Sequence, residues 1–118
     1  MNYTIEHKDN IVIFELKNKT VESGISSELK ARMLIIAQPD IEALIINLSS
    51  VEAIDSSGLG ALLLANRQLS EPDIPVCLIG VKEFVRSLMN MTKIDEVFEF
   101  YDTVDEAIES IKSRSEED

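Results

Sequence analysis

The segment of this chain best suited to chemistry is the polar hexapeptide at residues 55–60, which reads Asp-Ser-Ser-Gly-Leu-Gly. It follows the apolar run Ile41–Leu48 after a short polar stretch and precedes a segment rich in leucine and alanine. Asp and Ser are favoured where a helix begins, because their side chains accept hydrogen bonds from its unpaired N–H groups. A helix N-terminus also tolerates a phosphate, so an outward-facing serine here would suit a kinase. The pattern alone allows both roles and does not separate Ser56 from Ser57.

Three other chemistries fit this segment poorly. A serine hydrolase needs a glycine before its nucleophile and a histidine base, but Ser57 lacks that glycine and His7 is the only histidine. A nucleotide-binding loop would have a third glycine where Leu63 stands. A receiver-like domain phosphorylated on Asp55 would need an acidic pair for magnesium where residues 18–19 are Asn-Lys. We therefore expect no catalytic residues, no cofactor and no metal site.

Length and charge narrow the class of protein. A chain of 118 residues has room for one hydrophobic core. The 22 acidic and 11 basic residues give a net charge of −11, which repels phosphate backbones and anionic lipids. The apolar runs fall far short of the roughly 18 residues of a membrane-spanning helix, and the N-terminus lacks a signal-peptide pattern. We expect a cytoplasmic protein without direct nucleic-acid binding or membrane insertion.

Short apolar runs predict the strands that position the hexapeptide. Tyr3–His7 and Ile11–Leu16 flank a polar break, which predicts an antiparallel hairpin. The runs Ile41–Leu48 and Val76–Ile79 are almost wholly apolar, which is typical of strands covered on both faces. A further short extended segment is expected around Val97–Phe100.

Helices are predicted between and after these strands. Gly24–Ala37 has apolar residues at helical spacing, with Ser26 or Ser27 available to cap its start. Ser57–Ser70 is rich in leucine and alanine, which predicts a helix directly after the polar turn. These assignments make the hexapeptide a strand-to-helix connection, where α/β folds place ligand and partner sites.

The C-terminal part of the chain adds two more predicted helices. Val81–Met89 carries four apolar residues on one predicted packing face, namely Val81, Phe84, Val85 and Leu88. In the last helix, Thr103 and Glu106 form a capping-box pattern. The predicted order is β-β-α-β-α-β-α-β-α, an α/β fold with a mixed, mostly parallel sheet, an N-terminal β-hairpin and about four helices.

The hexapeptide and the predicted order together resemble the STAS-domain family of anti-sigma-factor antagonists. The resemblance runs from the buried strand through Asp55–Gly60 into the leucine-rich helix, and the order extends it over nearly the whole chain. It implies one STAS domain over residues 1–112. Composition predicts that the acidic residues 113–118 form a disordered tail. In that family the first serine of the pair is the phosphoacceptor, which implies Ser56.

The resemblance implies a phosphorylation-controlled partner switch and not an enzyme. The unphosphorylated protein would bind an anti-sigma factor that is itself a serine kinase, phosphorylation of Ser56 would break the complex, and a serine phosphatase would restore it. Glycines would let the partner approach closely, and an exposed leucine would give it an apolar contact. The implied partner-binding residues are Asp55, Ser57, Gly58, Leu59 and Gly60.

One turn departs from the family pattern. Members usually carry a Gly-Glu-Leu-Asp-like turn after the second strand, whereas residues 18–21 here read Asn-Lys-Thr-Val. The difference leaves the partner's identity open, and the sequence also leaves the oligomeric state open. An alternative use of the same fold is a non-phosphorylated scaffold or accessory subunit of a larger complex such as a transporter.

Overall fold

The structure is a computed structural model that describes residues 1–117, and it confirms the predicted α/β class with four helices and a mixed sheet. The strands are β1 (Tyr3–Lys8), β2 (Ile11–Leu16), β3 (Thr20–Val21), β4 (Ala43–Asn47), β5 (Ala53–Ile54), β6 (Val76–Ile79) and β7 (Glu99–Tyr101). The helices are α1 (Ser23–Ile36), α2 (Ser56–Ser70), α3 (Glu83–Met91) and α4 (Val104–Glu117). A short 3₁₀ helix, Ile94–Val97, precedes β7.

The main sheet has five strands in the order β1-β2-β4-β6-β7. Strand β1 pairs with β2 in the antiparallel direction, as the predicted hairpin requires, and the other neighbours are parallel. The carboxyl ends of the four parallel strands therefore meet at one edge of the sheet. The connections that lead into α1, α2, α3 and α4 all leave from this edge.

Helices cover both faces of the sheet, which explains why its inner strands are almost wholly apolar. In β2, Val12 and Phe14 belong to one buried cluster, which also contains core residues of α1, α2 and α3. Ile11 and Ile13 alternate with them and belong to a second cluster, which includes Ala107 of α4. Helix α4 thus covers one face alone, and the other three helices cover the opposite face.

A second, two-stranded sheet lies beside the hexapeptide. Strands β3 and β5 are parallel, with Thr20 opposite Ala53 and Val21 opposite Ile54. The carbonyl of Lys19 accepts hydrogen bonds from the N–H groups of Glu52 at 2.7 Å and of Ala53 at 3.1 Å. The sequence pattern does not predict this pair, because two-residue strands are too short to show a hydrophobic period. It fixes residues 18–21 against the chain that enters α2.

The predicted cap of α1 is wrong. Its N-cap residue is Glu22, whose side chain makes no capping hydrogen bond. Ser26 and Ser27 lie inside the helix, where their hydroxyls donate to the carbonyls of Glu22 at 2.9 Å and Ser23 at 3.2 Å. Serines inside helices often bond back to the carbonyl four residues earlier, so their presence near a predicted start does not make them caps.

The predicted packing face of α3 is partly wrong. Val85 and Met89, four residues apart, are the buried residues of this helix. Phe84 lies beside that face and leaves 58% of its surface exposed. Helix α3 packs against β5, the short strand that directly precedes Asp55.

Helix α4 begins as predicted and continues into residues 113–117, where composition predicts a tail. The N–H of Glu106 donates to the Thr103 hydroxyl at 3.2 Å, which confirms that contact of the capping box. Near the other end, Arg114 donates to the Glu99 carboxylate on β7 at 2.8 Å, and this bond lowers the pKa of Glu99. The ion pair ties the helix to the sheet beyond residue 112. Asp118, the last residue of the predicted tail, lies outside the described residues.

The single cysteine has the structural role that its apolar run suggests. Cys77 is fully buried in β6, and this burial raises the pKa of its thiol to about 12. A thiol in that state is not a nucleophile at neutral pH. Within residues 1–117, no helix is both long enough and apolar enough to cross a lipid bilayer.

Candidate functional site

Asp55 begins helix α2 and is held by two hydrogen bonds. Its Oδ1 accepts from the Ser57 hydroxyl at 2.5 Å and from the N–H of Gly58 at 3.1 Å. These bonds, the one from Ser57 first, lower the pKa of the Asp55 carboxyl. The charged carboxylate is stabilised because it accepts both bonds, and it also meets the positive end of the α2 dipole. Asp55 is therefore an ionised helix cap.

The two adjacent serines have different environments. Ser56 is the first residue of α2, and its side chain is exposed to solvent. Within the described part of the chain, its hydroxyl makes no hydrogen bond. Ser57 is half-buried, donates to Asp55, and lies with its Oγ 2.9 Å from the Ser26 Oγ on α1. The structure thus leaves the Ser56 hydroxyl free and engages the Ser57 hydroxyl on two sides.

Gly58 is required by the packing of this chain on itself. A Cβ at this position would lie 2.5 Å from Cγ1 of Ile54 and 2.9 Å from Cγ1 of Val21. Both neighbours are buried, β-branched residues of the β3–β5 pair. The glycine therefore lets α2 approach the small sheet, and the expectation that it lets a partner approach does not follow from the structure.

The expectation of an exposed leucine is wrong, because Leu59 is only 7% exposed and packs in the main core. Helix α2 turns this side chain inward, one residue after the buried Gly58. Gly60 is different. Apart from its chain neighbours and the nearby backbone of α2, no described atom lies within 4 Å of a Cβ there, so packing against the rest of the protein does not require a glycine at this position. Its role in a partner contact stays a prediction.

Sequence reasoning missed an exposed aromatic ring on α3, the helix that packs against β5. Phe84 was assigned to a packing face, yet it is largely exposed on α3, which packs against β5. The helical spacing of α3 contained the signal, since Phe84, Leu88 and Met91 form a second apolar stripe beside the buried one. Met91 is 79% exposed.

The hydrogen bond from Ser57 leads to a testable pH effect. Replacing Ser57 with Ala is expected to raise the pKa of Asp55 toward its ordinary value of 3.8, because the largest stabilising contact of the carboxylate is removed. In the wild type, the pKa of Asp55 is lower in the folded state than in the unfolded state. The contact therefore stabilises the fold fully at pH values above the unfolded-state pKa, and this stabilisation is lost as the pH falls through the folded-state pKa.

Two measurements check this expectation. NMR titration of the Asp55 carboxyl carbon gives the pKa in each protein. Urea unfolding at a series of pH values should show the stability difference between wild type and variant shrinking as the pH falls below the ordinary Asp range. An unchanged Asp55 pKa in the variant would show that the Ser57 hydroxyl does not bond to the carboxylate in solution.

The described residues offer no evident metal site. No three His, Cys, Asp or Glu side chains of this part of the chain converge as metal ligands would. The geometry at Asp55–Gly60 consists of a capped helix start, one free hydroxyl and one engaged hydroxyl. Such a site can present a surface to another protein and can carry a modification on Ser56.

Comparisons with known proteins show the family of this chain. The model of the STAS domain family matches residues 2–107. A Thermotoga neapolitana protein, described as a candidate anti-sigma factor antagonist, is 33% identical over 67 residues. That match covers 57% of this chain and 59% of the relative. A Thermotoga maritima protein with a similar description is 31% identical over the same length.

Solved structures share the fold. An anti-sigma-factor antagonist (STAS) domain protein from Planctomyces limnophilus has a TM-score of 0.85 at 19% identity, covering 92% of this chain and 96% of that one. The phosphorylated form of the Bacillus cell fate determinant SpoIIAA has a TM-score of 0.73 at 19% identity, covering 93% and 99%. At these identities the likeness concerns the fold. Since the family model covers most of the sequence, the chain belongs to the STAS domain family.

Proposed function

We propose that this chain is an anti-sigma-factor antagonist that works as a phosphorylation-controlled partner switch in the cytoplasm. With Ser56 unmodified, it binds an anti-sigma factor that is itself a serine kinase. Phosphate on Ser56 releases that partner, and a serine phosphatase restores binding. The chain acts by binding and carries out no catalysis of its own.

The observation that carries this proposal is the difference between the two serines. A kinase needs a hydroxyl that it can reach, and the Ser56 hydroxyl is exposed and makes no hydrogen bond among the described residues. The Ser57 hydroxyl donates to Asp55 at 2.5 Å, so its modification would break the cap of α2. The names of the curated Thermotoga relatives support the anti-sigma partner.

Electrostatics explains how one phosphate would switch binding. A phosphoserine adds about −1.5 to −2 charges at neutral pH. At Ser56 these charges would lie beside the Asp55 carboxylate, which is already ionised. A partner that packs closely here would have to bury both negative charges, which weakens binding. The positive end of the α2 dipole would limit the effect of the phosphate on the stability of the fold itself. Binding would change greatly while the structure changes little.

The partner surface is proposed to combine the turn with α3. Ser56 offers an exposed polar side chain, the partly exposed Gly60 offers backbone, and Phe84 on α3 replaces the buried Leu59 as the apolar anchor. Aromatic residues that are exposed in the free protein and buried in a complex often dominate binding. Asp55, Ser57 and Gly58 then act mainly by shaping α2.

This surface predicts a loss of affinity when Phe84 is replaced with Ala. We expect the dissociation constant for the anti-sigma partner to rise about tenfold or more, because the variant removes an aromatic anchor. Ile35→Ala is the matched control. Ile35 is also exposed, at 61%, but it lies near the C-terminal end of α1, away from the turn. Equal affinities of the two variants, measured by titration calorimetry, would place the partner elsewhere.

Phosphopeptide mapping of the protein from its own cells tests the modification. We expect a phosphatase-sensitive phosphate on Ser56 and none on Ser57. If Ser56 stays unmodified across growth and stress conditions while the chain remains in a larger complex, the accessory-subunit alternative is the better account of the fold.

A further inference from the structure

Ser26 is a polar side chain in an otherwise aliphatic part of the core. It lies in the first turn of α1 and is 2% exposed. Its Oγ is 2.9 Å from the Glu22 carbonyl oxygen and 2.9 Å from the Ser57 Oγ on α2. A buried hydroxyl is costly unless it makes hydrogen bonds, so these contacts account for how it is accommodated.

The hydroxyls of Ser26 and Ser57 form a short chain that ends at Asp55. Each hydroxyl has one proton to donate, while the Asp55 carboxylate and the Glu22 carbonyl can only accept. The 2.5 Å contact to a charged oxygen is the strongest of the set, so the Ser57 proton goes to Asp55. The Ser57 oxygen is then free to accept from Ser26, whose Oγ lies 2.9 Å from both the Ser57 Oγ and the Glu22 carbonyl oxygen.

We propose that Ser26 is a positioning residue for the Ser56 turn, although it lies on a different helix. Its hydroxyl holds Ser57 in the orientation that bonds to Asp55, and Asp55 in turn fixes the N–H of Gly58 and the first turn of α2. Ser56 sits on that turn. The inference rests on the proposed function, since it concerns the presentation of Ser56 to its kinase.

Preorganisation is the physical benefit of such an arrangement. If a turn must become ordered during binding, the entropy lost in that ordering weakens the complex. A turn that is already ordered in the free protein avoids this loss. Successive hydrogen bonds that end on a charged group also strengthen one another. Ser26 can therefore influence binding and phosphorylation without touching the partner or the phosphate.

The test compares two substitutions of Ser26 with a matched control. Ser26→Ala removes the hydroxyl, and Ser26→Cys keeps nearly the same shape but donates only weakly. Ser27→Ala is the control, because Ser27 makes the same kind of backbone bond within α1 but is exposed and contacts no residue of α2 among the described hydrogen bonds. Thermal unfolding first establishes that each variant is folded.

We expect both Ser26 variants to weaken binding of the anti-sigma partner about fivefold and to slow phosphorylation of Ser56 by a similar factor, the effect of one hydrogen bond. Both should also shift the Gly58 amide resonance in NMR spectra, because that N–H donates to Asp55. Ser27→Ala should leave partner binding, the phosphorylation rate and the Gly58 resonance unchanged. The amide signal reports on the turn even in the absence of a partner.

Three outcomes would overturn the inference. Wild-type behaviour of Ser26→Cys in both assays would show that Ser26 matters for packing and not for hydrogen bonding. An unmoved Gly58 resonance in Ser26→Ala would show that the turn does not depend on Ser26. Unchanged affinity in the Ser26 variants, with binding still lost in Ser56→Asp, would overturn the inference while the proposed function stands. If Ser56→Asp binds normally, the proposed function itself fails.

Discussion

Replacing Ser56 with Asp is expected to weaken the complex with the anti-sigma partner by about a hundredfold or more. The new carboxylate would lie beside Asp55, whose pKa is already lowered by the hydrogen bond from the Ser57 hydroxyl and then by the one from the N–H of Gly58. Placing a like charge in a close protein interface costs several kcal/mol, and about 1.4 kcal/mol corresponds to a factor of ten in affinity. Ser56→Ala should bind within about threefold of the wild type, because it removes a hydroxyl that makes no hydrogen bond within residues 1–117.

Stability measurements separate this effect from unfolding. An acidic residue in the first turn of a helix interacts favourably with the helix dipole, by about 0.3–1 kcal/mol. Ser56→Asp should therefore unfold at the same urea concentration as the wild type or slightly higher. Loss of binding in a fully folded variant is the signature of a switch. If the wild type, Ser56→Ala and Ser56→Asp bind equally well, the chain is better described as a scaffold whose binding does not depend on Ser56.

Replacing Gly58 with Ala is expected to destabilise the fold by about 1–3 kcal/mol, even though alanine is the better helix former. The added methyl would lie 2.5 Å from Ile54 and 2.9 Å from Val21. Both of these side chains are β-branched and buried in the β3–β5 pair, so neither can easily rotate away. Urea unfolding measures the difference in the free energy of unfolding.

Gly60→Ala is the control for this prediction. No described atom beyond its chain neighbours and the nearby backbone of α2 lies within 4 Å of its Cβ position, so the substitution should stabilise α2 by up to about 1 kcal/mol. Equal destabilisation by the two substitutions would contradict the packing account of Gly58. The same control variant also probes the partner. If a partner backbone approaches Gly60 closely, Gly60→Ala will be stable but will bind more weakly.

The main sheet could be predicted from sequence because its strands carry a simple pattern. Ile41–Leu48 and Val76–Ile79 are nearly continuous apolar runs, and the structure places strands at Ala43–Asn47 and Val76–Ile79. A strand covered on both faces by helices has no polar side to interrupt the run. The start of α2 was also predictable, because Asp55 has the side chain that a helix N-terminus requires.

The details of the site were less accessible from sequence. Leu59 looked exposed because it lies in a polar hexapeptide, but the direction of its side chain depends on where α2 starts and which way it packs. The β3–β5 pair depends on hydrogen bonds from the carbonyl of Lys19, which no side-chain pattern reveals. Both features arise from tertiary contacts and not from the local sequence pattern.

The contact of Ser26 with Ser57 belongs to the same class of feature. The two residues are 31 positions apart, and each serine alone is compatible with a helix cap. Only the packing of α1 against α2 brings their oxygens together. This contact engages the Ser57 Oγ in addition to its bond to Asp55, whereas the Ser56 hydroxyl makes no hydrogen bond among the described residues.

A time course with the isolated complex tests the central claim most directly. The partner is captured on the Ser56→Ala protein, identified, purified, and mixed with the wild-type chain and ATP. We expect phosphate to appear on Ser56 and the complex to dissociate at the rate at which the phosphate appears. The complex with Ser56→Ala should persist. Dissociation without modification of Ser56, or a complex that survives full phosphorylation of Ser56, would contradict the proposed switch.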